Sequence, residues 1–122
     1  MRVALRVEVC SLRGLRQGVP NLMRLFSDYQ VRASFFFALG PDRAGRTPLR
    51  SWRNRSRVGL AALAYGTLMP APVLGREAGD IIAAARASGH ETGLCGWSPQ
   101  QWSNRLAYAD EAWVHQQCDK LW

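Results

Sequence analysis

Apolar and polar positions alternate one by one from Val3 to Val9: Val3, Leu5, Val7 and Val9 fall on one side of the pattern, Ala4, Arg6 and Glu8 on the other. That period of two predicts an open strand with one face turned to a core. The period then changes. Val19-Pro20 opens a helix, since proline suits a first helical turn, and Leu22, Leu25 and Phe26 recur at the spacing of a buried stripe. Ala33 to Leu39 reads as one apolar run, as expected of a strand covered on both faces, and Gly40-Pro41-Asp42 ends it as a turn. Gly79 to Ala87 reads as a second helix and Glu91 to Leu94 as a third strand. From Ala107 to Trp122, the spacing of Trp113, Val114, Gln117 and Leu121 predicts an amphipathic helix without a capping residue. Strand, helix, strand, long insertion, helix, strand, helix is a βαβ-type order, so the expected class is α/β with about three parallel strands and flanking helices. No repeat or low-complexity segment interrupts it, and residues 1–122 are read as a single domain.

Composition narrows the class without naming a reaction. With 48% hydrophobic and 20% charged residues the chain lies in the range of folded domains. No run approaches the roughly eighteen apolar residues of a membrane-spanning helix. Three cysteines, an odd number, and the lack of an apolar signal segment behind Arg2 point to a reducing cytoplasm. A net charge of +7 and a pI near 10.4 suit a binder of phosphate backbones. Yet no zinc-finger, helix-turn-helix or RNP-like pattern accompanies that charge, and arginine outnumbers lysine fifteen to one, so no nucleic-acid partner is expected.

The segment from about 47 to 74 stands apart as a basic and apolar insertion. Arg50, Arg53, Arg55 and Arg57 cluster around Trp52, and Val58 to Tyr65 follows nearly uncharged. Two readings are open. One is a membrane interface, where each surface arginine gains about 1 kcal/mol on an anionic leaflet. The other is a solvated basic face beside a helix buried in the domain.

Candidate chemistry centres on Gly89-His90-Glu91-Thr92-Gly93, followed by Cys95 and Pro99. This run resembles the Gly-His-Glu-x-Gly motif of polysaccharide deacetylases of the NodB-homology class, in which a following His-x-x-x-His pair holds a catalytic divalent metal. Leu5 to Gly14, with Arg13-Gly14 and then Gly18-Val19-Pro20, resembles the opening of a narrower group, the deformylases acting on undecaprenyl-phosphate-linked 4-deoxy-4-formamido-arabinose. Ala33 to Phe37, Gly40-Pro41-Asp42, Gly45-Arg46, Gly66-Thr67 and Asp80-Ile81-Ile82 continue the likeness in that family's order, from about residue 3 to about residue 106.

The resemblance implies a NodB-type (β/α) barrel and assigns roles by position. Glu8 stands where the family has its general base, longer by one methylene, and Cys10 and Cys95 stand at two of the three metal-ligand positions. The third is Pro99, whose side chain has no lone pair to donate. His90 in this setting implies a structural residue at the strand start. Three readings of Cys10 and Cys95 stay open: buried thiols packing as small hydrophobes, thiolate ligands of a zinc-like metal, or a disulfide or redox pair.

Length bears on the same point. Barrels of this kind run to about 200 residues or more, so 122 residues correspond to the N-terminal part of one, and the family's Arg-Pro loop and Leu-x-x-His segment have no counterpart here. The chain therefore reads as a truncated, degenerate member. Three functions follow: a metal-dependent hydrolase removing an N-formyl or N-acetyl group from a lipid-linked amino sugar, with Glu8 as base; a non-catalytic remnant binding an anionic membrane surface or a sugar phosphate, peripheral on the inner face of the membrane; or a non-functional fragment.

Overall fold

The computed structural model describes residues 3–42 and 61–121. Strands Arg6–Val9 (β1), Ser34–Phe37 (β2) and Glu91–Leu94 (β3) form a parallel sheet in the order β1-β2-β3. Arg6 pairs with Ser34 and Ser34 with Glu91, and the register runs without a slip to Val9, Phe37 and Leu94. Parallel neighbours need a crossover, and helices supply both. Val19–Asp28 (α1) leads from β1 to β2, and Gly75–Ala87 (α2) precedes β3. The α/β architecture, with three parallel strands and flanking helices, is compatible with part of a NodB-type barrel.

Because side chains alternate across a strand and registered partners share a face, the sheet has two unlike sides. One carries Val7, Val9, Phe35 and Phe37. Phe35 and Phe37 are essentially inaccessible and pack with Val9, Leu12, Leu15, Val19, Leu74 and Ala78 into one core. Each buried phenylalanine contributes roughly 1.5–3 kcal/mol relative to exposure. The other side carries Arg6, Glu8, Ser34, Phe36, Glu91 and Gly93, none of them fully buried. Among the described residues the Ala33–Leu39 run is thus covered by helices on one face only. Over Phe36 lies the guanidinium of Arg6, 4.7 Å from the ring centre, in place of a second hydrophobic layer.

The first crossover starts earlier than periodicity predicts. Ser11 Oγ accepts from the Gly14 N–H at 3.1 Å and the Ser11 carbonyl from Leu15 N–H at 2.9 Å, which starts a helical turn directly after β1. Gly14–Gly18 is a π-helical turn, closed by Val19 N–H on the Gly14 carbonyl. It is bracketed by Arg13-Gly14 and Gly18-Val19-Pro20. In α1 the inward stripe is Val19, Leu22, Met23 and Phe26, at intervals of three, four and seven. Leu25, expected in that stripe, is instead 46% exposed, because its position falls on the flank of the helix.

Two further boundaries move. Helix α2 begins at Gly75 rather than Gly79, since Leu74, which is buried, and Gly75, which is exposed, donate to the Gly40 and Leu39 carbonyls at 3.1 and 3.0 Å and so fix the helix start at the end of β2. The expected uncapped helix from Ala107 is two pieces. Pro99–Arg105 (α3) and a 3-10 turn at Leu106–Tyr108 precede Glu111–Asp119 (α4), and Asp110 caps α4 by accepting from Trp113 N–H at 2.9 Å. Breaking at Asp110 seats Trp113 edge-on against Trp102, 5.3 Å between ring centres.

Of the insertion, the end from residue 61 is described. Ala61–Ala64 form a short 3-10 turn, Tyr65 packs against the core, and Leu68 and Met69 are 89% and 50% exposed. Arg50, Trp52, Arg53, Arg55 and Arg57 lie outside the described residues. No helix among the described residues is long and apolar enough to cross a membrane.

Candidate active-site face

One residue beyond the register Val9–Phe37–Leu94 stand Cys10, Ala38 and Cys95. The ladder continues through them: Ala38 N–H donates to the Val9 carbonyl at 2.9 Å and Cys95 N–H to the Phe37 carbonyl at 3.0 Å. Past Cys95 the chain turns at Gly96, whose φ of +98° suits glycine. That turn brings the Trp97 carbonyl to the Gly40 N–H at 2.8 Å. A Cβ on Gly40 would lie 2.1 Å from that oxygen, so the approach requires glycine. Cys95 is thereby held at the end of β2, half-buried, its Sγ 3.7 Å from the Phe36 carbonyl.

Cys10 and Cys95 flank Ala38 at the end of β2, and each thiol shifts the ionisation of the other, first through a hydrogen bond between them. Cys10 is exposed and Cys95 partly so, which excludes the fully buried reading of these thiols. That bond divides their ionisation. As donor, Cys10 has its own loss of a proton pushed well above the ordinary thiol range, first by this bond and then by burial, with the charges of Cys95, Glu8 and Asp42 adding to the effect. The same bond lowers Cys95 against the opposing effect of desolvation.

Glu8 lies on the same open face, two residues before Cys10. Its carboxylate is paired with Arg6 at 2.8 Å, both side chains more than half exposed. Phe36 lies beside it, its ring seated over Gly93, where an added Cβ would come within 2.8 Å of the ring. Ser34 Oγ donates to Glu91 Oε2 at 2.5 Å farther down the face. Behind the sheet, His90 is buried, its Nδ1 accepts from the Ala33 N–H at 3.3 Å, and its ring meets Phe26 and Phe35 edge-on. That placement is structural.

Pro99 opens α3, a position proline suits because the first helical N–H has no partner to lose. Among the described residues no three His, Cys, Asp or Glu side chains gather where they could hold a metal ion. Two thiols and a carboxylate already paired with Arg6 do not fit the hydrolytic divalent metal that the resemblance implies, which takes three protein ligands and keeps a fourth position for water.

Comparison with known proteins bears on the origin of this face. A probable 4-deoxy-4-formamido-L-arabinose-phosphoundecaprenol deformylase ArnD from Shewanella sediminis (strain HAW-EB3) is 37% identical over 130 residues, covering 98% of this chain and 43% of that protein. The chain is a partial-length homologue of these deformylases. A second protein so described, from Wigglesworthia glossinidia brevipalpis, is 30% identical over 103 residues, 73% of this chain and 35% of that protein. The chain thus spans less than half the length of the curated relatives it matches. No protein-family model matches it.

For this deformylase homologue, Glu8, Cys10 and Cys95 are brought to one end of the sheet and Pro99 stands at the head of the next helix. Sequence reasoning passed over Arg6, Phe36 and Asp42. Arg6 had a signal, since period-two alternation places it on the side of Glu8. Asp42 was read as a turn residue only. It is 4% exposed, and its Oδ2 accepts from the Leu12 N–H at 2.9 Å, tying the end of β2 to the turn after β1.

Proposed function

We propose that this chain corresponds to part of a deformylase-type scaffold whose metal-ligand positions are degenerate. By family it derives from a hydrolase that removes an N-formyl or N-acetyl group from a lipid-linked amino sugar, and it does not carry out that hydrolysis itself. The observation that carries the reading is the donor set at the strand ends: two thiols, a carboxylate engaged by Arg6, and a proline heading a helix at the third ligand position. Without a third ligand among the described residues there is no seat there for a metal-activated water, and Glu8 has no proton to take.

Formate release from an undecaprenyl-phosphate-linked 4-formamido sugar, measured with zinc supplied, tests it. The expected result is no turnover above a protein-free control. Zinc-dependent formate release that Glu8→Gln abolishes overturns it.

A second reading, binding to an anionic membrane surface or a sugar phosphate, has its own support in the exposed Leu68 and Met69 at the end of the insertion that carries Arg50, Trp52, Arg53, Arg55 and Arg57. It places the chain in the cytoplasm, peripheral on the inner face of the membrane. Co-sedimentation with phosphatidylglycerol vesicles, lost when Arg50, Arg53, Arg55 and Arg57 are replaced by Ser, supports this reading; undiminished binding by that variant removes it.

A further inference from the structure

The break between α3 and α4 leaves a cavity of about 410 Å³, lined by Arg105, Tyr108, Ala109, Asp110 and Trp113. Its size lies within the roughly 300–1,000 Å³ of small-molecule sites. Arg105 ends α3, Tyr108 ends the 3-10 turn, Asp110 caps α4 and Trp113 stands in the first turn of α4, so a single break in the helix forms every wall. Trp113 is backed by the ring of Trp102, and Trp102 packs on Gly96, where an added Cβ would lie 2.7 Å from its indole nitrogen. The aromatic wall is thereby anchored to the turn after β3, while Arg105, Tyr108 and Asp110 are exposed.

Two opposite charges line this cavity without neutralising each other. Among the described residues neither the Arg105 guanidinium nor the Asp110 carboxylate has an ion-pair partner. Asp110 uses Oδ1 to accept from Trp113 N–H, and its Oδ2 and the Tyr108 hydroxyl make no hydrogen bond with any described residue. A ligand that answers both charges carries a cation and an anion on one small frame. The kind of cation follows from the acceptors and the rings. A primary ammonium brings three N–H donors, and the lining side chains offer it only Asp110 Oδ2 and the Tyr108 hydroxyl. A quaternary ammonium brings no donor and is held by charge and aromatic surface. Tyr108 and Trp113 line the cavity with Asp110, which suits the quaternary form. For the anion, a guanidinium matches a carboxylate or a phosphate through two parallel N–H bonds.

We propose that this cavity binds a small zwitterion of the betaine and phosphocholine class, its quaternary ammonium against Tyr108, Trp113 and Asp110 and its oxyanion on Arg105. No bond is made or broken. The site goes beyond the deformylase-type reading and does not depend on it, and the basic insertion takes no part. The same chemistry exists in free solutes and in the headgroup of phosphatidylcholine.

The test is isothermal titration calorimetry of the full chain with glycine betaine and with phosphocholine, beside glycine, tetramethylammonium and inorganic phosphate, together with co-sedimentation with phosphatidylcholine vesicles. A quaternary zwitterion should bind about 10-fold more tightly than any of the three controls, since each lacks one of the matched charged groups or the aromatic contact. Arg105→Gln and Asp110→Asn should each weaken binding by about 10-fold, and Tyr108→Leu by about 2- to 5-fold. All three positions are exposed and asparagine keeps the α4 cap, so the fold is retained in each variant. Binding of a free zwitterion assigns a soluble ligand; capture by vesicles alone, lost in Arg105→Gln, assigns the lipid headgroup. No binding in either form, glycine or phosphate held as tightly as the quaternary zwitterions, or unchanged affinity in any of the three variants overturns the site.

Discussion

Replacing glycine by alanine at two positions should move stability in opposite directions, and the size of each effect follows from the space around it. Gly40 does not have a positive φ, so alanine is allowed there by its backbone alone. Its added Cβ, however, would lie 2.1 Å from the Trp97 carbonyl oxygen, where 3.0 Å is the practical limit. The two segments must part by about 1 Å. That breaks the 2.8 Å hydrogen bond from Gly40 N–H to Trp97 O. A buried donor left without its partner costs about 1–3 kcal/mol, and overpacking adds about 1–3 more, giving roughly 2–6 kcal/mol in all. Gly79 lies inside α2, exposed, with nothing within 4 Å of its Cβ position. Alanine there should stabilise by about 0.5–1 kcal/mol through helix propensity. The assay is urea unfolding followed by circular dichroism. With a slope of about 1–3 kcal/mol per molar, Gly40→Ala should lower the midpoint by about 1 M or more, and Gly79→Ala should raise it by a few tenths. If Gly40→Ala unfolds at the parent's urea concentration, the loop carrying Cys95 is not held against β2 in the way described.

Three other outcomes are expected. His90→Ala should destabilise by about 3 kcal/mol or more in the same assay, because it leaves the Ala33 N–H unpaired and opens a space beside Phe26 and Phe35; an unchanged midpoint would deny His90 its structural role. Asp110→Ala should cost about 0.5–2 kcal/mol by uncapping α4, whereas Asp110→Asn should restore most of it. The lowered ionisation of Cys95 means its thiolate persists to lower pH, so alkylation of Cys95 should reach half its maximal rate at a lower pH than that of an ordinary thiol. Cys10→Ala removes the donating thiol and should shift that profile upward; mass spectrometry of the alkylated peptides checks both, and a profile unmoved by Cys10→Ala refutes the thiol–thiol bond.

How much of this was legible in the sequence depends on the kind of signal. Alternation from Val3 to Val9 and the apolar run at Ala33 to Leu39 located β1 and β2, since burial sets both patterns. The start of α2 was missed because Leu74 and Gly75 are fixed by hydrogen bonds to Leu39 and Gly40, a tertiary tie with no local periodicity. Asp110 was passed over as a cap because apolar spacing ran on across it. That Cys10 and Cys95 stand at the same end of the sheet needed the strand order, which the positions of the two residues 85 apart do not encode.

The residues that carry the family likeness and the residues that would carry its chemistry do different physical work. His90 holds the Ala33 N–H and packs on Phe26 and Phe35; Gly93 leaves room for the Phe36 ring; Gly14 and Gly18 bound the π-helical turn that brings α1 onto the sheet. Changing any of these disturbs the core or the approach of an element to it. Glu8, Cys10 and Pro99 instead lie on the open side or at a helix start. Substitution there leaves the packing of Phe35 and Phe37 untouched. A chain can therefore lose a metal-ligand set while keeping the motif around it, and the Gly-His-Glu-Thr-Gly run reports the fold of the sheet and is silent on turnover. Chemistry at the strand ends must be read from the donors that stand there, and those are two thiols.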